Sequence, residues 1–344
     1  MSQAAQTNDH SQHQPSNHHW RLWWAGVWSL LLLISAALLL TYRQPILDQL
    51  SVWAFEPSSE LNQTVERASL SDTGKFYLYA SRAAIVNNNT FNQACGSLQN
   101  EQTVVLGCYR LPEKHIYIFK VTDERLNGIV EVTTAHEMLH AAYDRLDEKK
   151  RSQVDSQLLA LAKTITEPRL VDLIERYKKT EPNAVVNELH SIFGTEVASL
   201  PAELESYYSN YFVDRQVVVG LKNKYEKVFT DLKNSQTRLV TELNAIAADV
   251  AARQTVYTKD LAQINSDIAA FNAWNQSGVA TTVEFNARKT RLERRIAALQ
   301  SERDAINRAI DTYNDKKAEL EALNLAVEGL NESINSKLSP TPNL

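Results

Sequence analysis

The sequence predicts an α+β domain that follows an N-terminal transmembrane helix and precedes a long antiparallel coiled-coil hairpin. Three observations lead to this expectation. An uncharged apolar run occupies positions 22–40, strand-like segments lie in the first part of the chain, and apolar residues at helical spacing fill the last third. With only nine Gly and nine Pro in 344 residues, long stretches contain almost nothing that would interrupt a helix.

The apolar run reads LWWAGVWSLLLLISAALLL and carries no charge. As a helix it spans about 28 Å, which is enough for the apolar core of a bilayer. Aromatic residues typical of membrane interfaces flank it, namely Trp20, Trp23, Trp24, Trp28 and Tyr42. A cleaved signal peptide is the alternative, although its apolar segment would normally be shorter. We therefore predict a disordered tail at 1–21 and a transmembrane helix at 22–42.

Charge does not decide the orientation of this helix, because Arg21 precedes it and Arg43 follows it. The N-terminal tail is short and polar, so we expect it inside and the rest of the single-pass chain on the extracytoplasmic side. Cys95 and Cys108 favour the same arrangement, since a disulfide between them requires an oxidising compartment. Such a bridge would contribute about 3 kcal/mol. Two unrelated buried thiols are the alternative, and zinc binding by this pair alone is disfavoured because a structural site takes four ligands.

Residues 72–213 form the predicted α+β domain, with its strands early and its helices late. Lys75–Val86 favours β structure, and Asn87-Asn88-Asn89 favours a turn. Thr103–Tyr109 and His115–Val121 are β-branched and aromatic, and they predict a pair of strands. Helices are expected after Asn127-Gly128, at Ile129–Arg145, Glu148–Ile165, Arg169–Lys178 and Ala184–Phe193.

Apolar residues spaced three and four apart run through 214–338, which predicts a coiled coil. Asn275-Gln276-Ser277-Gly278 interrupts the pattern and offers a place to reverse direction, so we predict an antiparallel hairpin. Two arms that pair with another subunit are the alternative, and a protein partner or self-association through this region is expected in either case. A polar connector at 43–71 and a disordered tail at 339–344 complete the predicted domain organisation.

The overall charge gives no support to nucleic-acid binding. The chain has 36 basic and 41 acidic residues, which gives a net charge of −5. Nucleic-acid-binding proteins usually present a basic face, so nucleic acid is not an expected partner.

The most informative motif is His136-Glu137-Met138-Leu139-His140. Side chains four positions apart on a helix project from one face, so both imidazoles can reach one metal ion. Neutral imidazole is a good Zn²⁺ ligand. Glu137, beside the first ligand, can accept a proton from water and pass it to a leaving amine. A helix that merely carries two histidines on one face is the alternative.

This HEMLH motif, preceded by the strand-like segment Ile116–Val121, resembles the zincin metallopeptidases over about residues 103–212. In that superfamily an edge strand lies beside the HExxH helix and binds the substrate as an added strand. The resemblance implies a zincin-like fold, a Zn²⁺ cofactor and a peptide or protein substrate. It also implies a third metal ligand, since a catalytic site has three protein ligands and one open position.

In the thermolysin-like branch the third ligand is a Glu on a later helix, often preceded by Asn. Asn187-Glu188 resembles this pattern, so the resemblance implies Glu188. Ile192 stands where that branch often has Asp, and Glu196 and His190 are therefore rival ligands. The nearby tyrosines at 207, 208 and 211 are expected to form a structural aromatic cluster.

The expected function is that of a membrane-anchored zinc endopeptidase, with His136, His140 and Glu188 as metal ligands and Glu137 as general base. Two alternatives belong to other classes. One is a coiled-coil scaffold whose zincin-like domain binds zinc without turnover. The other is a zinc hydrolase that acts on cell-envelope peptides.

Overall fold

The computed structural model describes residues 18–96, 106–180 and 182–336, and it is 79% helical. A small three-stranded sheet accompanies the helices, so the chain is more helical than the predicted α+β domain suggests. The strands are β1 (Ala84–Val86), β2 (Gly107–Arg110) and β3 (His115–Phe119). The helices are α1 (His18–Thr41), α2 (Arg43–Ala54), α3 (Ser59–Arg67), α4 (Asp72–Ala80), α5 (Asn88–Cys95), α6 (Ile129–Asp144), α7 (Glu148–Ala162), α8 (Pro168–Thr180), α9 (Val185–Glu196), α10 (Ala202–Tyr208), α11 (Arg215–Gln276) and α12 (Thr282–Ile334).

Helices α1 and α2 cover the predicted transmembrane segment and the start of the predicted connector. Within the described residues, no single helix is both long and apolar enough to cross a membrane. By length and composition, one bent pair in the described part of the chain passes as a broken span, namely Trp23–Leu39 with Arg43–Ala54 at an angle of 66°. The transmembrane helix at 22–42 therefore stays a prediction.

The predicted connector at 43–71 contributes to the folded domain. It contains α2 and α3, and Leu61 and Val65 of α3 are each only 1% exposed in the main hydrophobic core. Ser58 begins α3 by accepting a hydrogen bond from the amide of Leu61.

Two predictions of local structure are wrong. Most of the segment that was expected to be β is helix α4, because Ser71 caps its first turn by accepting from the amide of Gly74. The strand β1 is confined to its end. The triple asparagine is not a turn, since Asn87 accepts from the amide of Thr90 and so begins α5.

The predicted strand pair is confirmed within the described residues. Strands β2 and β3 are antiparallel, with Tyr109 opposite Ile116. Strand β1 joins the other side of β3 in parallel, so the order is β1-β3-β2. Among the described residues, strand β3 is therefore central and β1 and β2 are the edge strands, so the segment Ile116–Val121 is not itself an edge strand.

Helix α6 runs through the middle of the domain, close to its predicted bounds. Ala135, Met138 and Leu139 are fully buried, and they pack in the same core as β3 and α9. Gly194 permits α9 to lie close against α6, because a Cβ at this position would collide with the side chain of Leu139. This close approach brings the first turn of α9 beside the histidines of α6.

The two long helices α11 and α12 lie side by side and antiparallel. The rings of Phe271 and Phe285 are 5.3 Å apart near the turn, where Gly278 has φ of 76°. Farther from the turn, Gln236 donates to Asn324 across 2.8 Å. The arms thus pair within one chain, while coiled-coil packing between them stays a prediction.

Candidate metal centre

The two histidines of the HEMLH motif face each other on α6. Their Nε2 atoms are 3.1 Å apart, and their rings meet nearly edge to face. The His136 side chain is 21% exposed and that of His140 is 10% exposed. This placement follows from their spacing of four, which puts both imidazoles on the same side of the helix.

Helix α9 presents Glu188 to both imidazoles. Its Oε1 atom is 3.5 Å from Nε2 of His140, and its Oε2 atom is 3.8 Å from Nε2 of His136. Two nitrogens and a carboxylate that converge from two helices form a donor set well suited to Zn²⁺.

The preceding residue, Asn187, orients one of the histidines. Its Oδ1 atom is 3.0 Å from Nδ1 of His140 and accepts the proton of that nitrogen. In the tautomer that this contact favours, Nε2 of His140, 3.5 Å from Oε1 of Glu188, is the nitrogen available to a metal ion. A hydrogen bond of this kind fixes the tautomer that a metal ligand needs.

The Glu188 carboxylate is charged in this setting. Burial raises the pKa of this carboxyl group. The attraction of His140 and the hydrogen bonds with His136 and Tyr177 outweigh burial and lower the pKa to about 2. A charged carboxylate beside two imidazoles favours the binding of a cation.

Glu137 lies between the helix and the edge strand and is only 6% exposed. One donor atom each from His136, Glu137 and His140 lies within 4.8 Å of the others, so these three side chains could hold a metal ion. The motif therefore brings its three polar side chains together at one point of the surface.

Gly107 of β2 is a site residue that the sequence analysis missed. A Cβ added there would lie 2.6 Å from both Cγ and Oε1 of Glu137, and 2.7 Å from Cγ2 of Thr133. Such distances are too short for any side chain, so only glycine allows β2 to lie this close to α6. A glycine inside a strand segment was the available signal.

A cleft of about 660 Å³ opens over the side chains that could hold a metal ion. Strand β2 forms one wall through Gly107, Cys108 and Tyr109, and the N-terminal part of α9 forms another. Tyr225 of α11 also lines it, so the long hairpin contributes to the cleft directly.

The sulfurs of Cys95 and Cys108 are at disulfide-bonding distance, as predicted. The bond connects α5 to β2, one residue from Gly107. Both cysteines are buried in a small cluster with Phe91 and Phe119. The disulfide therefore helps to hold the cleft wall in place.

The two rival ligands are engaged elsewhere. Glu196 forms ion pairs with Arg169 and, across 4.0 Å, with Lys222.

His190 is fully buried, and its Nε2 atom is 2.8 Å from the hydroxyl of Tyr207. Burial, with smaller contributions from His140 and His136, lowers the pKa of His190 to about 3, so this ring is neutral. The expected aromatic cluster surrounds it, with Tyr143, Tyr207, Tyr208 and Tyr211 in contact with the imidazole.

Comparisons with known proteins add no further assignment, since no family model, no curated protein and no solved structure matches the chain.

Proposed function

We propose that this chain is a membrane-anchored zinc endopeptidase. The observation that carries the proposal is the convergence of His136, His140 and Glu188, with Glu137 beside them in an open cleft. This combination matches the needs of metal-assisted hydrolysis, which are three ligands and a separate carboxylate for proton transfer.

The three ligands would be Nε2 of His136, Nε2 of His140 and the carboxylate of Glu188. Asn187 holds His140 in the tautomer required, and the negative charge of Glu188 offsets part of a divalent charge. When bound, Zn²⁺ supplies Lewis-acid polarisation of a substrate carbonyl and lowers the pKa of water.

Glu137 is the proposed general base. Its carboxylate lies next to the backbone of Gly107, on the side of α6 that faces the cleft. From this position it accepts a proton from the attacking water and delivers it to the amine of the leaving group. One donor atom of Glu137 lies within 4.8 Å of a donor atom of His136, so this proton transfer would take place beside the metal ligands.

The edge strand β2 is the proposed binding surface for the peptide. It pairs with β3 on one side only, so the other side of its backbone remains open to an added strand within the described part of the chain. Backbone hydrogen bonds to such an edge hold an extended peptide with little dependence on its sequence. Tyr109 and Leu111 line the cleft nearby and would contact substrate side chains.

The full-length protein in detergent tests the proposal. Zinc content is measured first, and cleavage of unfolded proteins is then compared between the natural protein and Glu137→Gln. Zinc binding with Glu137-dependent cleavage supports an endopeptidase. One zinc ion per chain with no cleavage favours a coiled-coil scaffold that binds zinc without turnover. Cleavage limited to cell-envelope peptides favours a zinc hydrolase that acts on those peptides.

A further inference from the structure

Helix α2 carries an apolar face that is turned away from the domain. Ile46, Leu50 and Trp53 are spaced by four and three residues, so they lie on one side of the helix. They are 41%, 51% and 75% exposed. Three large apolar side chains in one stripe on a twelve-residue helix form an exposed apolar patch, and such patches usually mark an interaction surface.

The opposite side of the same helix is attached to the domain. Asp48 is buried and accepts two hydrogen bonds of 2.9 Å from Arg145, the residue that directly follows α6. Arg145 also donates to the hydroxyl of Tyr109 across 3.2 Å, and Tyr109 lines the cleft. The apolar face of α2 and the wall of the metal centre are thus connected through two side-chain contacts.

The charges of α2 indicate the kind of surface that it meets. Its only acidic residue is Asp48, whose charge is matched by Arg145. Its only basic residue is Arg43, which is exposed at the start of the helix. A helix with an exposed apolar stripe, one exposed cation and no exposed anion can bury its apolar face at a membrane surface without charge repulsion from anionic lipids.

The preceding helix points to the same partner. Helix α1 is apolar and uncharged from Trp23 to Leu39, and it meets the length and composition of a span only together with α2, from which it is separated by a bend of 66°. If α1 follows the membrane normal, this bend places α2 closer to the membrane plane than to the normal. Trp53 would then lie at the level of the lipid headgroups, where tryptophan is enriched.

We propose that α2 is an interfacial helix, with Ile46, Leu50 and Trp53 inserted among the lipid headgroups and Asp48 facing the domain. It holds the metal centre at a fixed height above the bilayer through the contact between Asp48 and Arg145. The inference rests on the anchored arrangement proposed above, but it assigns a separate surface that does not itself cross the membrane.

Spin labels in the full-length protein test this assignment. Single cysteines replace Leu50 or Trp53 in protein kept under non-reducing conditions, where Cys95 and Cys108 are joined and do not react. The protein is reconstituted into vesicles of phosphatidylcholine and phosphatidylglycerol. Collision of each label with oxygen, which concentrates in lipid, is compared with collision with a water-soluble nickel complex. Ser51→Cys, on the other side of α2, and Val283→Cys, 79% exposed on α12, are the controls.

We expect labels at 50 and 53 to collide with the nickel complex severalfold less often than the label at 283, and with oxygen more often than the label at 51. A label at Leu31 in α1 separates the two proposals. If that label is deep in the membrane while 50 and 53 are as accessible to nickel as 283, the anchor stands and the interfacial helix is rejected. Dipolar broadening between labels at 53 on two chains would also reject it, because a second copy would then cover this face.

Discussion

Gly107 and Glu137 are in direct contact across the boundary between β2 and α6. No Cβ fits at position 107, since it would lie 2.6 Å from two atoms of the glutamate. The backbone of the edge strand therefore sets the position of the proposed general base.

Replacing Gly107 by Ala should displace Glu137 or push β2 outward. We expect a loss of stability of about 1–3 kcal/mol from overpacking, and a fall in cleavage rate of about tenfold or more. Zinc content should be retained, because the three proposed ligands are untouched. Gly220→Ala is the matched control, since a Cβ there meets nothing within 4 Å. Equal activity in the two variants would show that the contact has no part in catalysis.

The proposed division between ligand and base is tested by two substitutions in one motif. Glu137→Gln should keep zinc and lower the cleavage rate by several orders of magnitude, because the amide cannot accept the proton. His136→Ala should lose both zinc and activity. The measurements are metal content and single-turnover cleavage, and full activity in Glu137→Gln would exclude the proposed mechanism.

The third ligand is tested by comparing two glutamates of α9. Glu188→Ala should abolish stable zinc binding, whereas Glu196→Ala should leave zinc affinity nearly unchanged, since Glu196 pairs with Arg169 and Lys222. Asn187→Ala should lower the zinc affinity about 10–100-fold, because the His140 ring loses the contact at Nδ1 that orients it. Zinc titration against a competing chelator measures all three. The opposite ranking of the two glutamates would move the ligand to Glu196.

The ion pair between Asp48 and Arg145 should matter for stability. Both side chains are under a tenth exposed, so Asp48→Ala leaves a buried guanidinium without its carboxylate and should destabilise the fold by about 3–5 kcal/mol. A fragment that begins at Val52 should show the same defect, and one that begins at Arg43 should not. Denaturant unfolding of the variants measures the difference. The double variant Asp48→Ala with Arg145→Ala should recover part of the loss, and additive losses would contradict a coupled pair.

The pairing of the long helices is tested at Ile306, which is 5% exposed on α12. Ile306→Asp should lower the unfolding temperature and helix content, because a charge would be placed in an apolar contact. Zinc content should not change, since Ile306 is not among the residues that line the cleft. Leu325→Asp, at a position that is 68% exposed, is the control and should have little effect. Equal effects of the two substitutions would mean that Ile306 is not part of the contact between the arms.

The sequence predicts the metal-site helix well because its signals are local. Gly128 precedes α6, and the spacing of His136 and His140 requires only helical geometry. Helix α4 was missed because its local signals conflict. Phe76, Tyr77 and Tyr79 favour β structure individually, but the cap at Ser71 and burial against the core determine the outcome.

The remaining site features depend on residues far apart in the chain. Asp48 and Arg145 are 97 positions apart, and neither residue type indicates its partner. The need for glycine at position 107 arises only when β2 meets α6. Such relationships are set by tertiary packing, so no window of sequence contains them.

The length of the antiparallel arms sets the distance between the domain and the turn that joins α11 to α12. Helix α12 has 53 residues and thus extends for about 80 Å, with Leu330 packed against the domain at one end and the turn at the other. Contacts between the arms, such as Phe271 with Phe285 and Gln236 with Asn324, match positions on α11 to positions on α12 at about the same distance from the turn. If the arms pack as the predicted coiled coil, removing seven residues from both arms at matching levels would shorten this reach by about 10 Å and leave the register intact. Evolution could therefore adjust how far the tip stands from the metal centre in discrete steps, without altering either end.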